Sequence, residues 1–363
     1  MNSALATYWR ELANGTRTGF TDRLLLLLLA PFSFVYSIVQ RLRAMLYQTG
    51  ILKTRHLPRP VISIGNVTVG GTGKTPVAAH IARILMEQGY RVAVLSRGYG
   101  GSLEGHTVVV SDGATVMLGP AECGDEPFLL ASSLPGLMVV IGTDRYESGM
   151  LALTQFSPDV FVLDDGFQHM QLHRDLDILL LDFSRPFGNS WTLPGGLLRE
   201  PVSAVQRADL VILTRCTKNN LGGSPAKGIP YCLSRHRLAD LLPLSGGNPL
   251  PLSTLKAGKV LGFAGIAEPT SFFDELRSLG LNLVHTIRFP DHTRYTGDNT
   301  DLLRAAMQQY GAEIAVTTEK DGVKLKGLAL EFTIKILLAR MELVIEEPSL
   351  LIESLRNLLQ KYR

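Results

Sequence analysis

Cysteine is scarce in this chain. Its 363 residues hold three, Cys123, Cys216 and Cys232, with no C-x-x-C spacing. So few, in an odd number, exclude a disulfide framework and a structural zinc site and fit a reducing compartment. An excess of charge of either sign is also missing. Thirty-six Lys and Arg face 33 Asp and Glu, a net +3, so charge gives no reason to expect a nucleic-acid partner, and none is expected. Internal repeats are absent, as is any low-complexity tract beyond one run of leucines. What is abundant is apolar: 45% of residues, against 19% charged. That excludes a disordered chain and leaves room for two domains or one large one.

The charge is unevenly spread. Residues 1–60 carry Arg10, Arg17, Arg23, Arg41, Arg43, Lys53, Arg55 and Arg59 against only Glu11 and Asp22. These bases surround the apolar stretch Leu24–Val39, 16 residues with Pro31 inside. A spanning helix needs about 20 apolar residues, so the stretch is short for one. No small-x-small cleavage site follows, which argues against a cleaved signal. A buried core helix and an interfacial segment both fit. The basic flanks favour the interfacial reading, with apolar side chains in lipid and arginines at head groups.

From Val61 onward, short apolar runs alternate with amphipathic ones, as in a parallel sheet with crossover helices. The expected fold is α/β and P-loop NTPase-like, mainly parallel with helices on both faces, plus a smaller C-terminal α/β lobe. Val61–Val67 reads as a strand, Lys74–Gly89 as a helix, and Val160–Leu163, Leu176–Asp182 and Leu210–Thr214 as buried strands. Residues 216–258 are rich in Gly and Pro and read as an irregular or β-ribbon connection. Beyond it come strands Val260–Phe263, Leu283–Phe289, Ile314–Thr317, Phe332–Leu338 and Leu343–Ile345, and a closing helix Ser349–Leu359.

The stretch Val61–Pro76 organises the rest. An apolar strand enters a glycine-rich loop that ends Gly73-Lys74-Thr75 at a helix start. Backbone N–H groups of Gly70, Gly71, Thr72 and Gly73 can wrap phosphate oxygens, Lys74 can reach the β/γ-phosphates and Thr75 can ligate Mg²⁺. The common pattern asks for Gly where this chain has Thr68. Val160–Asp165 supplies the complementary strand, four apolar residues and then Asp164-Asp165, which can hold Mg²⁺ with Thr75.

Other positions carry two readings each. Asp125, in C-G-D-E-P, is a helix cap or a working acid. Gln168 and His169 face the nucleotide or fix a loop. His292, in P-D-H-T-R-Y, belongs to a proton relay or to a solvated turn. Arg97, Arg145 and Arg199 form surface ion pairs or together bind acidic groups. T-T-E-K-D, Thr317–Asp321, fails as the guanine-reading N/T-K-x-D, because Lys320 and Asp321 are adjacent.

Taken in order, G-N-V-T-V-G-G-T-G-K-T-P, S-R-G-Y-G, G-D-E-P, D-D-G-F-Q-H, L-P-G-G-L-L-R-E-P, F-P-D-H and T-T-E-K-D resemble the tetraacyldisaccharide 4′-kinase family of the lipid A pathway. The resemblance runs from the N-terminal apolar segment to at least Asp321. It implies phosphate transfer from ATP, with Mg²⁺, to the 4′-hydroxyl of a tetraacyldisaccharide 1-phosphate, a glycolipid. It implies work at the cytoplasmic face of the bacterial inner membrane, with peripheral membrane contact. It assigns Lys74 and Thr75 to phosphate and Mg²⁺, and Asp164 and Asp165 to the metal. Asp125 becomes the catalytic aspartate, His292 its partner, and Arg199 an active-site arginine. Thr68 is then a family variant of the loop. The expected division is a membrane-associated segment (1–55), a P-loop kinase core (56–220), a connecting ribbon (221–258) and a C-terminal lobe (259–363). The alternative is a P-loop switch of the GTPase or metallochaperone type that acts through a protein partner; neither N/T-K-x-D nor clustered cysteines support it.

Overall fold

The structure, a computed structural model, describes residues 3–216, 223–255, 258–266, 269–291, 293–325 and 335–362. Two helices lead: α1 (Ser3–Ala13) and α2 (Phe20–Gln48). The first half of the fold then runs β1 (Val61–Asn66), α3 (Lys74–Glu87), β2 (Val92–Ser96), β3 (Val108–Asp112), α4 (Pro120–Cys123), α5 (Asp125–Ser133), β4 (Met138–Ile141), α6 (Arg145–Phe156), β5 (Val160–Asp164), β6 (Leu176–Asp182) and β7 (Leu210–Thr214). The long β8 (Tyr231–Pro243) leaves it. The second half is β9 (Lys259–Ala264), α7 (Pro269–Ser278), β10 (Asn282–Arg288), α8 (Gly297–Tyr310), β11 (Ile314–Thr318) and α9 (Glu319–Leu325). β12 (Ile336–Glu346) returns the chain, and α10 (Ser349–Gln360) closes it.

The described strands form one sheet in the order β10-β9-β11-β12-β8-β7-β6-β1-β5-β2-β4-β3. Pairing is parallel within each half, except at the edge strand β3. The halves join where β12 and β8 pair antiparallel, from Leu337↔Pro243 to Glu346↔Leu233. β1 is buried at every position, as a central parallel strand covered on both faces must be. In α3, Val77, Ala78, Ile81, Ala82 and Leu85 are buried on one helical face against the sheet.

The mainly parallel α/β fold expected from the alternating pattern is what forms. Of the two readings of 216–258, irregular chain or β-ribbon, residues 231–243 take the ribbon: they are one strand paired antiparallel with β12, with Cys232, Ser234 and Leu238 buried and Arg237 exposed at an alternate position. Two local expectations are corrected. The two strands expected at 332–338 and 343–345 are one, β12, bent by a register shift at Arg340/Met341, and residues 332–334 lie outside the described residues. The apolar stretch Leu24–Val39 is the middle of a 29-residue helix that tolerates Pro31. By length and composition α2 can cross a membrane, so the argument that the stretch is too short fails.

The C-terminus rejoins the first half. Leu351, Leu355, Leu358 and Leu359 of α10 share a core with Ile81 and Leu85 of α3 and with Leu343 and Ile345 of β12. Leu355→Ala removes a side chain 1% exposed and should destabilise the protein by about 2–5 kcal/mol. Urea unfolding checks this; a loss below about 0.5 kcal/mol, the size of a surface change, would mean α10 is not part of that core.

Candidate active site

β1 and β5 are neighbours with Ile64 opposite Asp164. The loop after β1 and the acids after β5 therefore meet at one carboxyl edge. Strands β5, β2 and β4 lie on one side of β1, and β6 and β7 on the other. Such a reversal of strand order opens a crevice that the loops fill.

Gly70 (φ 125°) and Gly73 (φ 83°) take conformations that strain any residue with a Cβ. Gly73 caps α3, whose N-terminal backbone donors and dipole point into the loop. A second loop, 191–199, frames the first. The N–H of Val69 donates to Leu197 O at 2.8 Å, that of Arg199 to Val67 O at 2.7 Å, and Thr68 bridges Leu198. Arg215, after β7, donates to Gly71 O and pairs with Asp182.

Two adjacent carboxylates have opposite electrostatics. Asp165 accepts from Arg199 Nη1 at 2.9 Å and lies 3.4 Å from Lys74 Nζ. Its partial burial pushes its pKa up, but Lys74 and Arg199 outweigh that and hold it below the usual carboxylate range. Asp164 is buried, and its Oδ2 accepts from Thr75 Oγ1 at 3.2 Å. Its Oδ1 is buried with no hydrogen-bond partner among the described residues. Burial first, then the charges of Glu126 and Asp165, raise its pKa. Lys74 Nζ is also 3.3 Å from Asn66 Oδ1.

Asp125 is the first residue of α5, not its cap; the cap is Gly124, which has no side chain to bond. A Cβ on Gly124 would lie 2.6 Å from Tyr99 O, so S-R-G-Y-G and G-D-E-P pack backbone to backbone. The Asp125 carboxylate is 3.0 Å from Lys324 Nζ of α9, across the seam from the second half. Lys320, one turn earlier, is 3.5 Å from Glu126 and 3.8 Å from Asp291. A cavity of about 640 Å³ lies beside these contacts, lined by Thr75, Ala79, Arg83, Leu130, Val323 and Leu343 among others.

Of the three arginines, only Arg199 reaches the acids. Arg97 pairs with Glu104 at the surface. Arg145 is buried and donates to the Gly142 carbonyl, and burial lowers its pKa to about 10. Gln168 fixes a loop, donating to Asn66 O at 2.8 Å and to Glu200 at 3.2 Å. His169 is held neutral, its pKa lowered to about 4 by burial and then by Arg145. Asp321 is structural, accepting from Gly265 N–H and Thr318 Oγ1. His292 lies outside the described residues. Arg215 and Lys324 went unread in the sequence, and Asn66 and Lys320 were quoted inside motifs without a role at the site. For the two lysines a signal existed, a four-residue spacing on one helix face; for Asn66 it was its place in G-N-V-T, and for Arg215 there was none.

The profile of the family described as tetraacyldisaccharide-1-P 4′-kinase matches residues 25–360. A tetraacyldisaccharide 4′-kinase of Pelobacter propionicus is 62% identical over 99% of this chain and 100% of its own length. That of Geobacter sulfurreducens is 56% identical over 88% and 90%. A crystal structure described as the "apo" form of LpxK from Aquifex aeolicus in complex with ATP superposes with a TM-score of 0.78 at 35% identity, covering 92% of this chain and 99% of that one.

The low pKa of Asp165 has a stability consequence. Its folded-state value lies below the unfolded one, about 3.9. Its contribution is therefore present above that value and lost as pH falls through the folded-state value. Asp165→Asn should be less stable than the parent at neutral pH, and the gap should close below about pH 4. Urea unfolding across that range checks it; a gap independent of pH would mean Lys74 and Arg199 do not hold the carboxylate charged.

Proposed function

The chain belongs to the tetraacyldisaccharide-1-P 4′-kinase family, and we propose that it transfers the γ-phosphate of ATP to the 4′-hydroxyl of a tetraacyldisaccharide 1-phosphate. The observation that carries this reading is the meeting of Lys74, Thr75, Asp164 and Asp165 at the phosphate loop, beside the α5 end that presents Asp125. Relatives named as kinases favour phosphate transfer over a protein-binding switch.

In this reading the backbone of Gly70–Gly73 and the N-terminus of α3 bind the ATP phosphates, with Lys74 at the β/γ end and Arg199 beside it. The partnerless Asp164 Oδ1 next to the Thr75 hydroxyl suits a hard, oxygen-seeking cation. Thr75, Asp164 and Asp165 would hold Mg²⁺, which, when bound, neutralises charge on the phosphates. A sugar hydroxyl is a weak nucleophile. Asp125 accepts its proton as bonding to phosphorus develops, and Lys324, 3.0 Å away, orients that carboxylate. His292 is the partner proposed for Asp125 from the F-P-D-H motif. The division proposed from sequence (1–55, 56–220, 221–258, 259–363) fits a closure in which the second half swings on the ribbon over bound ATP.

The membrane part of the proposal rests on α2. Leu24, Leu27, Leu28, Phe32, Phe34, Val35, Ile38, Val39, Leu42 and Met45 are all exposed, whereas Asp22 and Ser33 are buried against the protein. The exposed bases Arg23, Arg41 and Lys53 flank this surface. A spanning helix would carry loop 191–195, bonded to Ser33, into hydrocarbon, which irregular backbone tolerates poorly. Peripheral seating at the cytoplasmic face of the inner membrane avoids that.

Two outcomes follow. Asp125→Ala should lower kcat by about 10²–10⁴-fold with ATP affinity nearly unchanged; single-turnover transfer from labelled ATP to the glycolipid measures it, and a near-parental kcat sinks the base assignment. The double variant Leu28→Glu/Val35→Glu should lose flotation with anionic vesicles. Undiminished flotation would refute the seating.

A further inference from the structure

Ser33 is an anomaly in α2. It is 4% exposed in a helix whose neighbouring side chains, Phe32 and Phe34, are 65% and 67% exposed. Its Oγ accepts from Gly195 N–H at 2.9 Å, and its carbonyl accepts from Thr192 Oγ1 at 2.7 Å. The helix is thus bonded twice, mid-length, to the loop that frames the phosphate loop. From Thr192 and Gly195 the connection is short. Leu198 pairs with both Thr192 and Thr68, Leu197 O accepts from Val69 N–H, and Arg199 N–H donates to Val67 O. The same arginine carries its guanidinium to Asp165.

A second strut leaves α2 about three turns on. Arg43 Nη2 donates to Gln168 O at 3.1 Å. Gln168 Nε2 donates to Asn66 O at 2.8 Å, and Asn66 Oδ1 is 3.3 Å from Lys74 Nζ. Helix α1 adds a brace, with Trp9 Nε1 donating to Pro194 O at 2.9 Å. Both struts start on the protein-facing side of the helix and end on the loop that would hold ATP, one on each flank.

We propose that Ser33 and Arg43 are positioning residues through which seating of α2 on a bilayer orders the phosphate loop, so that the enzyme binds ATP more tightly when on the membrane. The proposal rests on the membrane reading of α2 given above. The physical basis is entropic and mechanical. These bonds tie the protein-facing side of α2 to the loop, while its apolar face is left exposed. A bilayer that immobilises the helix removes part of the ordering cost that ATP binding would otherwise meet. Neither residue touches ATP in this scheme, and a kinase so built favours nucleotide where acceptor lipid is present.

The test reads vesicle seating and nucleotide affinity separately on the full chain. Flotation with mixed phosphatidylethanolamine and phosphatidylglycerol vesicles measures the first, and titration with a fluorescent ATP analogue, with and without vesicles, the second. The parent should float and bind the analogue at least about fivefold more tightly with vesicles, the lower end of ordinary coupling. Ser33→Ala and Arg43→Gln should still float, with their vesicle effect reduced to less than half of the parental one. A parent that floats without any gain in affinity overturns the coupling while leaving the membrane reading intact. Variants that float and keep the full gain overturn the roles of Ser33 and Arg43. A parent that does not float overturns the membrane reading and the coupling with it. Should Ser33→Ala fail to fold, Arg43→Gln, a half-buried position, carries the same outcomes.

Discussion

An unbalanced charge at the end of β5 governs this structure. Lys74 and Arg199 both face Asp165, which leaves Asp164, one residue away and buried, with a hydroxyl as its only described partner. A carboxylate left unpaired in the interior costs several kcal/mol, and the raised pKa of Asp164 is that cost expressed as proton affinity. A chain selected for stability alone would have an apolar residue there. The arrangement makes sense where a cation joins the site during function, and most other features serve to hold it. β1 and β5 set the register, loop 191–199 and Arg215 fix the loop, and Gln168 locks the turn after the acids.

The second constraint is the seam. β8 and β12 pair antiparallel over most of their length, and they are the chain's exit from and return to the first half. The second half thus hangs on one two-stranded ribbon. Across the gap beside it, the ion pairs of Lys324 with Asp125 and Lys320 with Glu126 join α9 to α5.

The strands of the first half were legible because buried parallel strands are continuous apolar runs, bounded here by Gly, Asp and Asn. The elements harder to read were β8 and β12. Their outward positions carry arginines and glutamates that pair across the ribbon, Arg235 with Glu346 and Arg237 with Glu342, opposite the buried Cys232, Ser234, Leu343 and Ile345. A charged position in a strand reads as a break until its partner strand is known. In α2, the 16-residue apolar stretch gave no sign that the helix continues on both sides, from Phe20 to Gln48. At the site, residues inside a motif were legible and residues that support it were not. Asp164 and Lys74 announce themselves by spacing. Lys324 matters only because the fold brings it to Asp125, and Arg215 only because β7 ends beside Gly71.

Thr68 shows how such support alters the motif itself. The usual pattern has glycine there, yet in this chain Thr68 does not take a left-handed conformation; Gly70 and Gly73 do. Thr68 is instead extended and bridged to Leu198, with Val67 and Val69 bonded to Arg199 and Leu197 on either side. The first half of the loop is in effect a short continuation of β1, paired to a second loop, and a β-branched residue suits that conformation better than glycine does. The permissive backbone is needed only where the chain turns toward α3. Thr68 is thus held by the L-P-G-G-L-L-R-E-P segment, and that segment is the one bonded to Ser33 of α2. A phosphate loop that leans on a neighbouring loop for its shape also inherits whatever that neighbour leans on, and here that is the apolar helix.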